Sequence, residues 1–99
     1  RTVTGVQTCA LPIFDFIRSS GIKKYDIIID DGLHSPEANL NTLIFSLNHL
    51  KSNGALWIED IPNSAINIWI IVAALTEKFF KRVEIVRVNQ QGVGFFAQK

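Results

Sequence analysis

The chain runs to 99 residues, 47% of them apolar, with ten basic and nine acidic residues and a formal net charge of +1. No block of like charge exceeds two residues, so the sequence carries no electrostatic footprint for nucleic acid or for an anionic membrane surface. Its lone cysteine, Cys9, makes neither a disulfide framework nor a thiolate metal site, and the longest apolar run, Ile68 to Leu75, falls far short of the roughly 18 to 20 residues of a membrane span.

In chain order, the first stretch is the least protein-like. Val3 to Ile13 looks like the translation of a common short-read sequencing adapter, whose reading frame passes into Phe14 without a break. Residues 1–13 are therefore expected to be non-native and are set aside from the fold. Residues 14–99 then hold no cysteine and equal numbers of basic and acidic side chains, which fits a reducing, cytoplasmic setting.

Phe14 to Ser20, closed by Gly21, reads as the tail of a helix. Tyr25 to Ile29 is a short, Ile-rich apolar run, as expected of a strand buried on both faces of a parallel sheet. Ser35-Pro36-Glu37 marks a helix start: Ser caps free amides, Pro has no amide to waste, and Glu suits the positive end of the dipole. Leu40, Leu43, Ile44, Leu47 and Leu50 then form one apolar stripe, and Asn53-Gly54 ends the helix. Ala55 to Ile58 is a second buried strand. Pro62-Asn63-Ser64 supplies a break and a cap for a helix reaching about Phe80, apolar around most of its circumference. Val83 to Val88 and Val93 to Ala97, joined across Asn89 to Gly92, form a hairpin. Two strand-helix units followed by a hairpin imply an α/β domain, mostly parallel, with one antiparallel strand near the sheet edge.

Chemistry concentrates at two strand ends. Asp30-Asp31-Gly32-Leu33-His34 follows the first strand directly, and Glu59-Asp60 ends the second, so both deliver acid to the edge where open α/β sheets place ligands. Carboxylates crowded at one rim call for a cation, and a hard divalent ion with oxygen ligands, magnesium above all, suits them. Each residue also has a bland reading: Asp30 or Asp31 as a turn cap, Glu59 or Asp60 as the lead-in to the next helix. His34 lies within reach of Asp31 across a tight turn, whereas His49 needs no role beyond meeting the last helix carbonyls.

The string Tyr25-Asp26-Ile27-Ile28-Ile29-Asp30-Asp31-Gly32-Leu33-His34, then His49-Leu50-Lys51-Ser52-Asn53-Gly54, then Leu56-Trp57-Ile58-Glu59-Asp60 resembles the macrocin and mycinamicin O-methyltransferases and their cephalosporin-hydroxylase-like relatives. Leu33 stands where that group usually has Ser. The resemblance implies a partial Rossmann-like, S-adenosylmethionine-dependent methyltransferase sheet, strands four to seven, in residues 14–99, the carboxyl-terminal half of the domain. It makes Asp31 a magnesium ligand and His34 the base that takes a proton from a sugar or small-molecule hydroxyl, with the family's other metal ligands expected upstream, while Asp30 and Asp60 stay metal candidates on their placement at the strand ends. The cofactor-binding residues are expected upstream, since Gly92-Val93-Gly94 opens a terminal strand and is no cofactor loop. Residues 14–99 alone are accordingly expected to be inactive and to expose an unpaired edge at the Asp30 strand. Two other readings remain open: a non-catalytic Rossmann-like interaction module, and a receiver-type phosphoacceptor domain, although the latter wants a Lys where Glu59-Asp60 stands.

Overall fold

Continuous apolar runs make strands that must be covered, and these strands assemble into one sheet. The computed structural model describes residues 2–4, 23–31 and 35–99. Strands β1 (Thr2–Thr4), β2 (Tyr25–Asp30), β3 (Leu50–Pro62), β4 (Arg82–Arg87) and β5 (Gly92–Gln98) stand in the order β1-β2-β3-β5-β4. The pairs β1/β2 and β2/β3 are parallel, while β5 runs antiparallel to both of its neighbours. The fold is thus α/β with a mixed sheet, and the hairpin folds back so that the carboxyl-terminal strand lies inside β4. Among the described residues the helices are α1 (Pro36–His49) and α2 (Ile66–Thr76), the latter flanked by 3-10 turns at Asn63–Ala65 and Glu77–Phe79. Among the described residues no helix is long and apolar enough to cross a membrane.

Both helices lie on the same face of the sheet. That face presents Ile28, Leu56, Ile58, Phe95 and Ala97, all without solvent exposure. They form one cluster with Leu43 and Phe45 of α1 and Trp69 of α2, whose indole meets the Phe95 ring at 4.9 Å. On the opposite face Trp57 lies flat over Gly94, where a β-carbon would fall 2.1 Å from the indole, so any side chain at position 94 would displace the ring.

Several expectations are corrected. In the 99-residue chain Thr2–Thr4, set aside as non-native, pairs with Ile27 to Ile29, so the β2 edge expected to be bare in residues 14–99 alone is covered here by the set-aside segment. Helix α1 starts at the expected cap, with Ser35 Oγ accepting from the Ala38 amide at 3.2 Å, but it stops at His49 rather than at Asn53-Gly54. Leu50 is already extended and pairs with Tyr25, so the second strand starts five residues before Ala55. The register then jumps from Tyr25↔Leu50 to Ile27↔Ala55. The surplus residues loop out around Asn53, whose φ of 67° makes the reversal, so Asn53-Gly54 closes a bulge within the strand and not a helix.

The buried side of α1 also differs from the expected stripe. Leu43 is buried and Leu40 and Leu47 are partly so, but Ile44 is 59% exposed. Asn39, Thr42, Ser46 and His49 turn inward instead. Three of the four meet a carbonyl one turn back: Thr42 Oγ1 bonds the Ala38 carbonyl, Ser46 Oγ the Leu43 carbonyl at 2.6 Å, and His49 Nδ1 meets the Phe45 carbonyl at 3.0 Å. The His49 ring stacks on Phe45 at 4.1 Å. At α2 no side chain caps the helix. Asn63 instead ties β3 to the hairpin, donating to the Gln90 carbonyl at 2.8 Å and accepting from Arg87 at 2.6 Å. The helix tail expected over Phe14 to Ser20 lies outside the described residues.

Candidate functional site

Parallel pairing fixes where the acids go. With Asp30 opposite Ile58, Asp31 leaves the tip of β2 beside Glu59 and Asp60, which do not end β3 as expected but stand within it, two residues short of its end at Pro62. Oxygen atoms of these three carboxylates lie within 4.8 Å of one another.

A strand with strict alternation would send Glu59 and Asp60 to opposite faces. A bulge removes that restriction. The register against β5 shifts between Ile58↔Phe95 and Ile61↔Val93, so β3 carries one residue more than its partner. Asp60 sits in that bulge at φ 55°, a left-handed conformation that costs most side chains about 1–2 kcal/mol and Asp somewhat less. The strained turn lets consecutive carboxylates face one cation-sized gap.

Electrostatics follow from the crowding. Loss of solvent around half-buried Glu59 raises its carboxyl above the usual range, and the Asp31 and Asp60 carboxylates push it the same way. A group that prefers its proton in the folded state favours folding in acid, and that contribution fades as the pH rises through its raised pKa. A bound cation would reverse the preference by rewarding the ionised form. Three oxygen donors, two of them exposed, fit a hard divalent ion that keeps several of its waters.

Asp30 is not part of this group. Its side chain is 1% exposed on the helix-covered face, where it accepts from Asn39 Nδ2 of α1 at 3.0 Å. The buried Asn39 Oδ1 has no partner among the described residues. Of the residues proposed from sequence, Asp31 and Asp60 meet and Asp30 points away, while His34 lies outside the described residues. Glu59, left out of the expected ligand set, joins it. No pattern in the sequence marks the bulge that turns it.

Beside the acids lies a cleft of about 280 Å³, lined by Asp60, Ile61, Pro62, Asn89, Gln91 and Gly92. Its outer wall is the hairpin turn, held closed by Asn89 Oδ1, which accepts from the Gln91 and Gly92 amides at 2.9 and 3.0 Å. A smaller hollow of about 150 Å³ opens between Trp57, Glu59, Asp60 and Val88. No protein-family model matches the chain, and neither a curated protein nor a solved structure is similar to it at a significant level.

Proposed function

We propose that residues 14–99 are the carboxyl-terminal half of a magnesium-dependent, S-adenosylmethionine-dependent O-methyltransferase acting on a hydroxyl of a sugar or small molecule. The observation that carries this reading is the meeting of the Asp31 tip with the Glu59/Asp60 tip on adjacent parallel strands. The order β2-β3-β5-β4, with the last strand inserted antiparallel, is compatible with a partial Rossmann-like sheet and supports this reading. Asp31, Glu59 and Asp60 would hold the ion, whose contribution is to lower the pKa of a bound hydroxyl. His34, three residues beyond Asp31, accepts the proton that the hydroxyl sheds on attacking the methyl group. The cleft along Asn89 and Gln91 gives the acceptor polar side chains to lie against. The parent protein would bring the cofactor-binding strands, so purified residues 14–99 neither retain the cofactor nor turn over, and methyl transfer by them would overturn the assignment.

The metal half of the proposal can be tested on the chain itself. Calorimetric titration with magnesium, or with manganese as a tighter probe, should show saturable binding that Asp31→Ala abolishes. Affinity should fall as the pH drops through the raised Glu59 pKa, because the proton and the ion compete for one carboxylate. Equal binding by the wild type and by Asp31→Ala would favour the reading in which these acids only shape turns.

A further inference from the structure

Asp30 is a buried carboxylate that the metal reading leaves without a task. Its side chain is 1% exposed, and a carboxylate withdrawn from water is tolerated only where donors meet it. One donor comes from the neighbouring layer: Asn39 Nδ2 of α1, equally buried, lies 3.0 Å from Asp30 Oδ2. The same amide keeps its Oδ1 buried and without a partner among the described residues. An apolar side chain at position 39 would carry no such unmet acceptor, so stability alone does not account for an amide here.

The bond lies where strand pairing runs out. Strand β2 is held through Ile29↔Thr4 on one side and through Asp30↔Ile58 on the other. Asp31 is the first residue past both, so pairing among the described strands does not set the direction in which it leaves. Successive residues of a strand point to opposite faces, and whatever fixes the Asp30 side chain under α1 therefore aims Asp31 away from that helix. Asn39 suits the task because its own backbone is held. Its amide donates to the Ser35 carbonyl at 3.0 Å, and Ser35 Oγ caps the same turn through the Ala38 amide at 3.2 Å. A capped helix turn is thus tied to the last paired residue of the strand.

We infer that Asn39 is a positioning residue: by holding Asp30 against α1 it sets where the Asp31 carboxylate stands relative to Glu59 and Asp60. Oxygen atoms of these three groups lie within 4.8 Å of one another, a spacing that one ion can bridge and that a shift of about 1 Å in Asp31 would spoil. Asp30, expected from sequence to be a ligand, serves as the anchor of one. Groups that orient a metal ligand without touching the metal change its affinity by roughly 10- to 100-fold when removed.

The inference rests on the magnesium reading for a binding measurement but not for a structural one, and both are made on the 99-residue chain. In calorimetric titration Asn39→Ala should raise the magnesium Kd about tenfold. Ser46→Ala, which removes an inward group bonded to the Leu43 carbonyl of its own helix, should leave it unchanged. Without metal, nitrogen-15 relaxation should show the order parameter of the Asp31 amide falling from about 0.85 to below about 0.6 in Asn39→Ala and holding in Ser46→Ala. Asp30→Asn combined with Asn39→Asp exchanges donor and acceptor, so this double variant should recover both values, and it serves as well if Asn39→Ala fails to fold. Equal Kd and equal Asp31 order in wild type and Asn39→Ala overturn the inference, as does a folded double variant that recovers neither. A wild type that binds no magnesium overturns the metal reading instead, and the Asp31 order parameter then decides the inference alone.

Discussion

The two helices invert the usual rule. Helix α1 buries Asn39, Thr42, Ser46 and His49 and exposes Ile44, while α2, without a charge along its length, buries one tryptophan and exposes four large aliphatic side chains. Both lie on the same face of the same sheet, so the difference is not one of layer. It lies in what the local backbone offers. In α1 Thr42 and Ser46 reach carbonyls one turn back and Asn39 Nδ2 reaches a strand-end carboxylate, which offsets much of the cost of burial and leaves Asn39 Oδ1 as the buried atom without a partner among the described residues. In α2 the aliphatic residues outnumber the places on a single sheet face that could receive them. Hydropathy states what a residue tolerates, and neighbours decide where it goes.

Substitutions at five positions test that contrast, taken from the largest effect to the smallest. Trp69→Ala removes the one side chain that anchors α2, and about 3–5 kcal/mol should be lost in urea denaturation, enough to unfold a domain of this size. Trp69→Phe should cost far less, because the buried indole Nε1 has no partner to forfeit. Asn39→Ala leaves the Asp30 carboxylate buried without its α1 donor, and a loss of about 1.5–3 kcal/mol is expected in the same assay; a neutral result would remove the account of the polar face given above. Asp60→Gly relieves the left-handed backbone at the bulge and should raise the unfolding free energy in urea by up to about 1 kcal/mol while ending magnesium binding. Ile44→Lys and Ile71→Lys, on the exposed sides of α1 and α2, should stay within about 0.5 kcal/mol of wild type. A large loss at Ile44 would mean that the sequence stripe, and not the structure, names the buried side.

Much of the sheet was legible beforehand. Ile27 to Ile29 and Leu56 to Ile58 are continuous apolar runs closed by acids with one helix between them, so their parallel pairing follows from the strand-helix-strand order. The hairpin was equally plain, because Asn89 to Gly92 has turn chemistry and its flanks are β-branched or aromatic. The end of α1 was not, since Leu50 fits the helical stripe as well as it fits a strand, and only pairing with Tyr25 decides between them. Nor did the sequence announce the bulge at Asp60, because Asp is accepted in many conformations and nothing local demands φ > 0 there. At the site this ambiguity exchanged two acids: Asp30 went under α1, and Glu59 came into the cluster.

The chain's two indoles sit in contrasting surroundings, Trp69 sealed against Phe95 and Trp57 half open beside Glu59 and Asp60. Intrinsic fluorescence therefore carries two separable signals from one unlabelled sample. Acrylamide reaches Trp57 in the native state and Trp69 only once the core opens, so quenching can follow events at the acidic tip while the sealed indole monitors integrity of the fold.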